Sequence, residues 1–520
     1  MWCACFMGSL WLDPPLHTET DLLLPGVTYD AVVVGAGLTG LATGLLLARA
    51  GRAVLVLESD EVGHGTSGHT TAKVSLLQGT MLSGMRAHAS EAEINAYVSA
   101  NRAGQDWLLD FLRGAGASVE VRDAWTYAVS AEGRARVSQE HGAARAAGLP
   151  VEESSETDLP FPVSGAIRLR DQAQIHAGEM LRLLAQALRS AGGTLVTGAR
   201  VTGVSAGSPP VVTVRTGSAD GGGAAGQVDV AAEHVVLATG TPILDRALHF
   251  ARLEPQRSYA VALRVPGLLP AGMYLSADQP SRSLRSVTVG DETLLLVGGE
   301  GHIVGRGGST QARVDDLVQW ARAYFPGAEV THQWSAQDYR STQRLPLAGP
   351  IPGSNGTVLV ATGFAKWGMT NGTAAALAIA GMIAGEVPAW SDDLYSHIAR
   401  VTDVVDAAKL NTSVAVQLAR GWAEAMTHPA PSTTPPPGGG VVVRQGLRPV
   451  AVSTVDETTC AVSAVCTHLG GVVSWNDAEQ SWDCPLHGSR FAANGRRLEG
   501  PAVDDLPSVD LRTGDHRPTA

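Results

Sequence analysis

The segment Gly35-Ala-Gly37-Leu-Thr-Gly40 constrains this chain more than any other stretch of it. It follows the β-branched run Val32–Val34 and opens Leu38–Ala50, whose apolar residues recur at helical spacing. Gly51 then sits where a helix C-cap glycine belongs. Arg52–Leu57 reads as the next strand and ends on Glu58, 18 residues beyond Gly40. Each part of such a strand–turn–helix–strand unit has a task. Gly35 permits the tight turn, Gly37 lets the backbone approach a pyrophosphate, and Gly40 lets helix and strand pack closely. The helix N-terminus offers unpaired N–H groups and partial positive charge to phosphates. Glu58 can accept hydrogen bonds from a ribose diol. The unit predicts a dinucleotide site on an α/β scaffold, and by itself it does not separate FAD from NAD.

One boundary is sharp. Pro429–Gly440 (PAPSTTPPPGGG) cannot continue a helix or a sheet and reads as a linker. The chain of 520 residues is thereby divided into an N-terminal extension (1–27), a large α/β body (28–428, with C-terminal helices from about 391), the linker (429–440) and a small all-β unit (441–520). Within the body, Glu179–Ala191, Ala312–Phe325 and Thr373–Ile383 read as helices. Thr194–Val196, His234–Ala238, Thr293–Val297 and Val358–Ala361 read as strands. Gly217–Gly226 is a glycine-rich hairpin tip, and the small unit turns at Asn476-Asp477 and Asn494-Gly495.

Hydrophobic residues make up 44% of the chain and charged residues 17%, which excludes disorder for most of it. A net charge of −12 argues against nucleic acid or an anionic membrane as partner. No apolar run approaches the roughly 18 residues of a spanning helix, so stable membrane insertion is not expected. Met1–Leu12 is apolar but has neither a basic flank nor a cleavage site, and Met7 is a plausible true start. A cytoplasmic location is the expectation. The five cysteines (Cys3, Cys5, Cys460, Cys466, Cys484) are too few and too clustered for a disulfide scaffold.

The strongest chemical signal lies after the linker. Cys466-Thr-His468-Leu-Gly-Gly471 is followed, with 15 residues intervening after His468, by Cys484-Pro-Leu-His487-Gly488-Ser489-Arg490-Phe491. Two Cys and two His can make a four-ligand site, and on ligand chemistry alone zinc is the simplest occupant. The detailed pattern resembles the Rieske two-iron, two-sulfur proteins. That resemblance implies a 2Fe-2S cluster with Cys466 and Cys484 on one iron and His468 and His487 on the other. Gly500-Pro501-Ala502 would supply a third covering loop. Two departures bear on the potential. The positions of the inter-loop disulfide of high-potential relatives are Gly471 and Leu486, and a tyrosine donating to a ligand sulfur is replaced by Phe491, while Ser489 remains. Fewer donors leave the added electron less stabilised, which predicts a potential low in the Rieske range. Cys460 is expected to be a small buried residue outside the cluster.

The body carries further segments. Glu61–Lys73 contains His64-Gly65-Thr66-Ser67-Gly68-His69-Thr70, Val235–Gly240 is a strand ending in Thr239-Gly240, and Ala361–Gly368 reads Ala-Thr-Gly363-Phe-Ala-Lys366-Trp367-Gly368. Together with the glycine turn these resemble the FAD-dependent D-amino-acid oxidase and glycine oxidase family over roughly Asp30–Glu386. The resemblance implies a Rossmann-type FAD domain interleaved with an α+β substrate domain. It implies FAD contacts at Gly35, Gly37, Gly40, Glu58, Ser67, His69, Thr70, Val201, Thr239, Gly240, Gly363, Lys366, Trp367 and Gly368. The late glycine segment would start the helix aimed at the flavin pyrimidine, where a helix N-terminus stabilises the negative charge of reduced flavin.

Only three of the 38 basic residues are lysines, and two of them, Lys73 and Lys366, fall in these flavin-side segments. Lys366 and Arg340 are the candidate catalytic groups, with Arg344 beside them. A cation there would stabilise anionic flavin or orient a carboxylate, and an ordinary solvated side chain is the alternative at each position. Gln343 stands where the family often has an acid. His69 is a remote candidate for covalent flavin attachment, and Tyr259 and Trp367 are candidate pocket walls. A second nucleotide turn is not expected, since Gly298-Gly-Glu-Gly301 leads into Gly305-Arg-Gly-Gly rather than a helix. Neither a 2-His-1-carboxylate set nor an HExxH motif is recognisable.

The resemblance implies oxidation of a C–N bond of a small amine or amino acid by hydride transfer to FAD. Single electrons would then pass through the cluster to an unidentified external acceptor. Two alternatives remain open: a reductase running from an external donor to the substrate, and a redox sensor or electron-transfer protein without turnover.

Overall fold

The computed structural model describes residues 6–511 apart from 206, 217–225, 245–250, 397–403 and 428–433. The glycine-rich tip Gly217–Gly226 therefore lies largely outside the described residues, as do Cys3, Cys5 and the first five residues of the linker.

The body is built on two sheets. In the first, Val358–Thr362, Gly226–Leu237, Thr28–Val34, Val54–Leu57 and Thr194–Val196 lie side by side and parallel. Alternation along these strands divides the two faces. Ala31, Val33, Val54 and Val56 pack under the helices Leu38–Arg49, Ala177–Ser190 and Gly368–Ala384. Val32, Val34, Leu55 and Leu57 face the opposite layer with the hairpin Ala199–Val204/Val211–Thr216. The second sheet has ten strands among the described residues. Its centre is the antiparallel run Glu329–Ser341, Leu253–Arg264, Glu292–Ile303 and Arg282–Val289. Gly298–Gly301, considered above as a possible turn, lies inside the strand Glu292–Ile303.

Residues 9–12, set apart by sequence as an extension, belong to the core. Trp11 is 1% exposed, and its indole N–H donates to the Thr70 carbonyl at 2.5 Å. The Ser9 hydroxyl donates to the Gly68 carbonyl at 2.6 Å. This segment thus braces from behind the loop that Ser67 and Thr70 occupy.

The C-terminal module has a three-stranded and a four-stranded antiparallel sheet. The long helix Val404–Thr427, which the sequence reading grouped with the body, lays Leu418, Trp422 and Ala425 on the module's core. Its Trp422 indole donates to the Gly470 carbonyl at 3.1 Å. Among the described residues no helix is long and apolar enough to cross a membrane.

Candidate functional site

The glycine turn has the shape its sequence predicts. Gly35 has φ +105°, and a Cβ there would lie 2.6 Å from the Ala238 carbonyl oxygen. A Cβ on Gly40 would collide with the Gly35 carbonyl at 1.9 Å, so this glycine sets the close helix–strand approach rather than the cavity wall. Glu58 accepts from the Ala36 amide at 2.8 Å and thereby pins the turn, while the Leu38 amide donates to the Ser67 hydroxyl at 3.0 Å.

A single elongated cavity runs from this turn towards the second sheet. Of the expected contact residues, Gly35, Gly37, Glu58, Ser67, Thr70 and Val201 line it near the turn. Thr239, Gly240, Lys366 and Gly368 line it further along. Gly40, His69, Gly363 and Trp367 do not. His69 is turned away because its Nδ1 bonds the Gly65 carbonyl at 2.9 Å across the short Thr66–Gly68 helix; burial holds its pKa down. His64, five residues earlier in the same segment, takes the lining position. Gly363, with φ +76°, shapes the backbone before the helix, and Trp367 is the N-cap position of Gly368–Ala384. A glycine cradle, a helix N-terminus and an acid at the strand end fit a flavin adenine dinucleotide.

The candidate catalytic groups separate. Lys366, which lines the cavity, adopts φ +75°; its amide donates to the Asp338 carboxylate, and its ammonium lies over Gly301 near Ser258. Burial lowers the Lys366 pKa, opposed by Asp338. Burial also raises Asp338 against the amides of Lys366 and Tyr339. Arg340 instead pairs with Glu254 at 2.5 Å and does not line the cavity; nor does Arg344. Lys73 is buried in the second sheet, donating to Ser283 at 2.5 Å and Thr71 at 3.1 Å; burial, then Arg285, depresses its pKa to about 7. Tyr259 is a core residue, 2% exposed and stacked on His302 with ring centroids 5.7 Å apart.

In the module, the two Cys-His loops repeat one backbone design. The Cys466 amide donates to the Gly471 carbonyl and the Cys484 amide to the Ser489 carbonyl, each at 2.8 Å. The amides of Gly470 and Gly488, both at positive φ, donate back to the carbonyls of Cys466 and Cys484 at 3.1 Å. The fold brings all four predicted ligands together. The His468 and His487 rings meet edge to face with centroids 5.1 Å apart. The Cys484 thiol bonds the Cys466 sulfur, which holds Cys466 down to about 7 and pushes Cys484 up. A Cβ on Gly471 would stand 3.0 Å from the Cys484 sulfur and 2.7 Å from Leu486, so Gly471 and Leu486 do face each other across the loops. Among the described residues no three His, Cys, Asp or Glu side chains close on a single point. Two thiols and two imidazoles arranged as pairs fit a 2Fe-2S cluster better than one tetrahedral ion. The Ser489 hydroxyl bonds Cys466 and accepts from the Ala502 amide at 3.0 Å, so the Gly500–Ala502 loop does cover the pair. Phe491 is fully buried, and Cys460, expected to be buried, is only half-buried on the strand Thr458–Ser463.

What the sequence did not reveal is how tightly module and body interlock. Arg257, 1% exposed, reaches from the body to Glu479 at 3.2 Å and lies 3.9 Å from Asp483. Arg490 of the module bonds the same two acids at 2.5 and 3.3 Å and Glu499 at 3.0 Å. Burial opposes ionisation of both acids, yet the two guanidinium groups hold their pKa values below the ordinary range. Asp477 accepts from the Thr310 and Gln311 amides and so caps the body helix Thr310–Tyr324. Gln337 donates to the carbonyl of Gly488, beside ligand His487, at 2.7 Å. Gln337 and its neighbours Asp338 and Tyr339 also line the nucleotide cavity, as do Arg497, Leu498, Glu499 and Gly500 of the module.

Comparison with known proteins agrees with both halves. Residues 30–382 match the FAD dependent oxidoreductase family (DAO), and residues 430–510 match the Rieske [2Fe-2S] domain. The Rieske 2Fe-2S iron-sulfur protein YhfW of Bacillus subtilis is 30% identical over 511 residues, covering 95% of this chain and 97% of that one. Among solved structures, glycine oxidase from Geobacillus kaustophilus superposes with a TM-score of 0.58 at 19% identity, covering 71% of this chain and 98% of its own. L-proline dehydrogenase from P. horikoshii does so at 0.57 and 15%, covering 75% and 99%. At these identities the two structures speak for the fold.

Proposed function

Because the chain belongs to the FAD dependent oxidoreductase family and carries a Rieske [2Fe-2S] domain, we propose that it oxidises the C–N bond of a small amine or amino acid. FAD held at the glycine turn would supply the hydride acceptor, and a cluster held by Cys466, His468, Cys484 and His487 would carry the electrons singly to an external acceptor. The observation that carries this reading is the shared cavity. Residues 337–339 and 497–500 line the same space, and Gln337 is bonded to the loop that bears His487. A two-electron flavin and a one-electron cluster placed so close suit one circuit. The names of the structural neighbours, glycine oxidase and L-proline dehydrogenase, favour an amino-acid substrate.

FAD supplies the two-electron acceptor; the chain supplies position and charge. The Lys366 ammonium, over Gly301 and beside Ser258, suits a substrate carboxylate or the negative charge that builds at the flavin edge. Asp338 fixes the Lys366 backbone through the amide bond, and the helix Gly368–Ala384 directs its N-terminus to the cavity through Gly368 and Met369. Arg340 is committed to Glu254 and has no part in this scheme.

An anaerobic screen of amines and amino acids, read by absorbance and electron paramagnetic resonance, tests the reading. The expected result is flavin bleaching followed by the signal of a reduced Rieske centre. If no such compound bleaches the flavin but a reduced ferredoxin-type donor does, electrons run the other way and the oxidation reading is wrong.

A further inference from the structure

Arg497 opens the last short strand of the module, Arg497–Glu499, and is only 8% exposed. Its backbone amide donates to Asp505 at 2.8 Å, but its side chain turns to the nucleotide cavity, where its Nε is buried without a hydrogen-bond partner. Its side chain makes no ion pair among the described residues, although Asp60, Glu58 and Asp505 lie near enough to act on it. Arg200, also lining the cavity, is a like charge. Asp60 pairs with Arg496 at 3.3 Å, Asp505 pairs with Arg200 at 3.3 Å, and Glu58 accepts from the Ala36 and Asp60 amides. A buried guanidinium with its nearby acids already engaged, facing a cavity that begins at a helix N-terminus, is a site waiting for an anion. The diphosphate of a dinucleotide is the anion this cavity is shaped for.

We propose that the iron–sulfur module completes the flavin-nucleotide site, with Arg497 binding the adenosine-diphosphate half of FAD. The cofactor is then held from both sides, by the glycine turn of the body and by the segment 497–500 of the module. By linkage, FAD favours the docked module and the docked module favours FAD. Burial and the neighbouring Arg200 lower Arg497 to about 10, so it stays a cation at neutral pH. The inference concerns cofactor retention and is independent of which substrate is turned over.

The test uses the full chain with its cluster loaded and its FAD removed. FAD rebinding is titrated by quenching of flavin fluorescence, with ADP as competitor and FMN, which lacks the adenosine half, as second probe. Arg497→Met is expected to weaken FAD and ADP about 10- to 100-fold, the loss of one or two charge-assisted bonds. FMN, which keeps one phosphate but lacks the adenosine monophosphate half, should lose less than FAD, and Arg497→Lys should recover part of the loss. An unaltered cluster resonance certifies the fold of each variant. In the unaltered protein, ADP alone is expected to slow amide hydrogen exchange across 497–503, an outcome that needs no variant. Unchanged FAD and ADP affinities in Arg497→Met would overturn the proposal. So would equal losses for FAD and FMN, or exchange in 497–503 indifferent to ADP.

Discussion

Replacing Arg257 by Met should undock the module while leaving each half folded. Arg257 donates to Ser335 at 2.5 Å, Gln337 at 2.6 Å and Glu479 at 3.2 Å, and it contributes the second of two positive charges facing Glu479 and Asp483. The methionine stem conserves most of the packing but leaves two largely buried carboxylates to Arg490 alone. Removing one partner of a buried ion network costs about 3–5 kcal/mol, because the remaining charges stay desolvated. Apart from Ala478, which packs into the body's apolar cluster, the cores of body and module are separate, so the loss should fall on the interface. That corresponds to a shift of roughly two to four powers of ten in the docking equilibrium. Amide exchange followed by mass spectrometry should show faster exchange at 476–503 and at the start of the helix Thr310–Tyr324, which Asp477 caps. Exchange in Thr28–Leu57 should not change. Adding Glu479→Gln and Asp483→Asn to Arg257→Met should restore much of the protection, since no orphaned charge remains. If the single variant leaves exchange at the interface untouched, or loosens the whole chain evenly, the network does not hold the domains together.

Acid should act on the same contact. Glu479 and Asp483 have folded-state pKa values below their ordinary ones, so their stabilisation is complete above the usual carboxylate range, near pH 4–5. It is lost as pH falls through the depressed values, and interface exchange measured across pH 3–6 should rise on the acid side. For Lys73 the slope has the same sign but lies in a higher pH window. Its folded pKa of about 7 lies below the unfolded value, so the unfolded chain binds more protons between pH 7 and about 10.5 and stability should rise over that window. Lys73→Met should flatten the rise in a denaturant titration repeated at several pH values. Ser489→Ala removes a hydroxyl bonded to the Cys466 sulfur. If about 1–2 kcal/mol of that bond is gained only on reduction, the potential should drop by roughly 40–90 mV in a redox titration. A drop below about 10 mV would mean the hydroxyl does not tune the cluster. Cys484→Ser should abolish the cluster's resonance and leave flavin absorbance in place.

How much of this could be read in advance depends on how local each feature is. The glycine turn and the paired Cys-His loops are each set by neighbours in the chain, and the structure shows the local turn geometry expected of them. The misses are of another kind. His69 and His64 have equal claims on sequence, and only the short Thr66–Gly68 helix decides which one is tied to the Gly65 carbonyl. Arg340 looked like a free carboxylate receptor because nothing in its own segment reveals Glu254 on the adjacent strand. Trp11 lay in a segment without motif, although it is among the largest fully buried side chains. The interface was the least legible part. Arg257 and Glu479 are 222 positions apart and look individually like ordinary surface charges.

A proline- and glycine-rich tether suggests a module free to swing, but a tether only permits motion; the contacts decide whether it occurs. Here the ligand histidines are unequal in a way a swinging head would not need. His487 is 4% exposed and lies next to Gly488, which is pressed on Pro255 and bonded to Gln337. His468 is half-buried and is followed by Leu469, 44% exposed. His487 therefore lies on the buried side of the module towards the body, and His468 on its more exposed side. With the ion network closed, a cluster held by these four ligands would sit between body and solvent without any domain movement. A rate-limiting hinge would instead require breaking buried charges at every turnover. That is the physical reason to expect flavin and cluster to equilibrate at a rate insensitive to solvent viscosity.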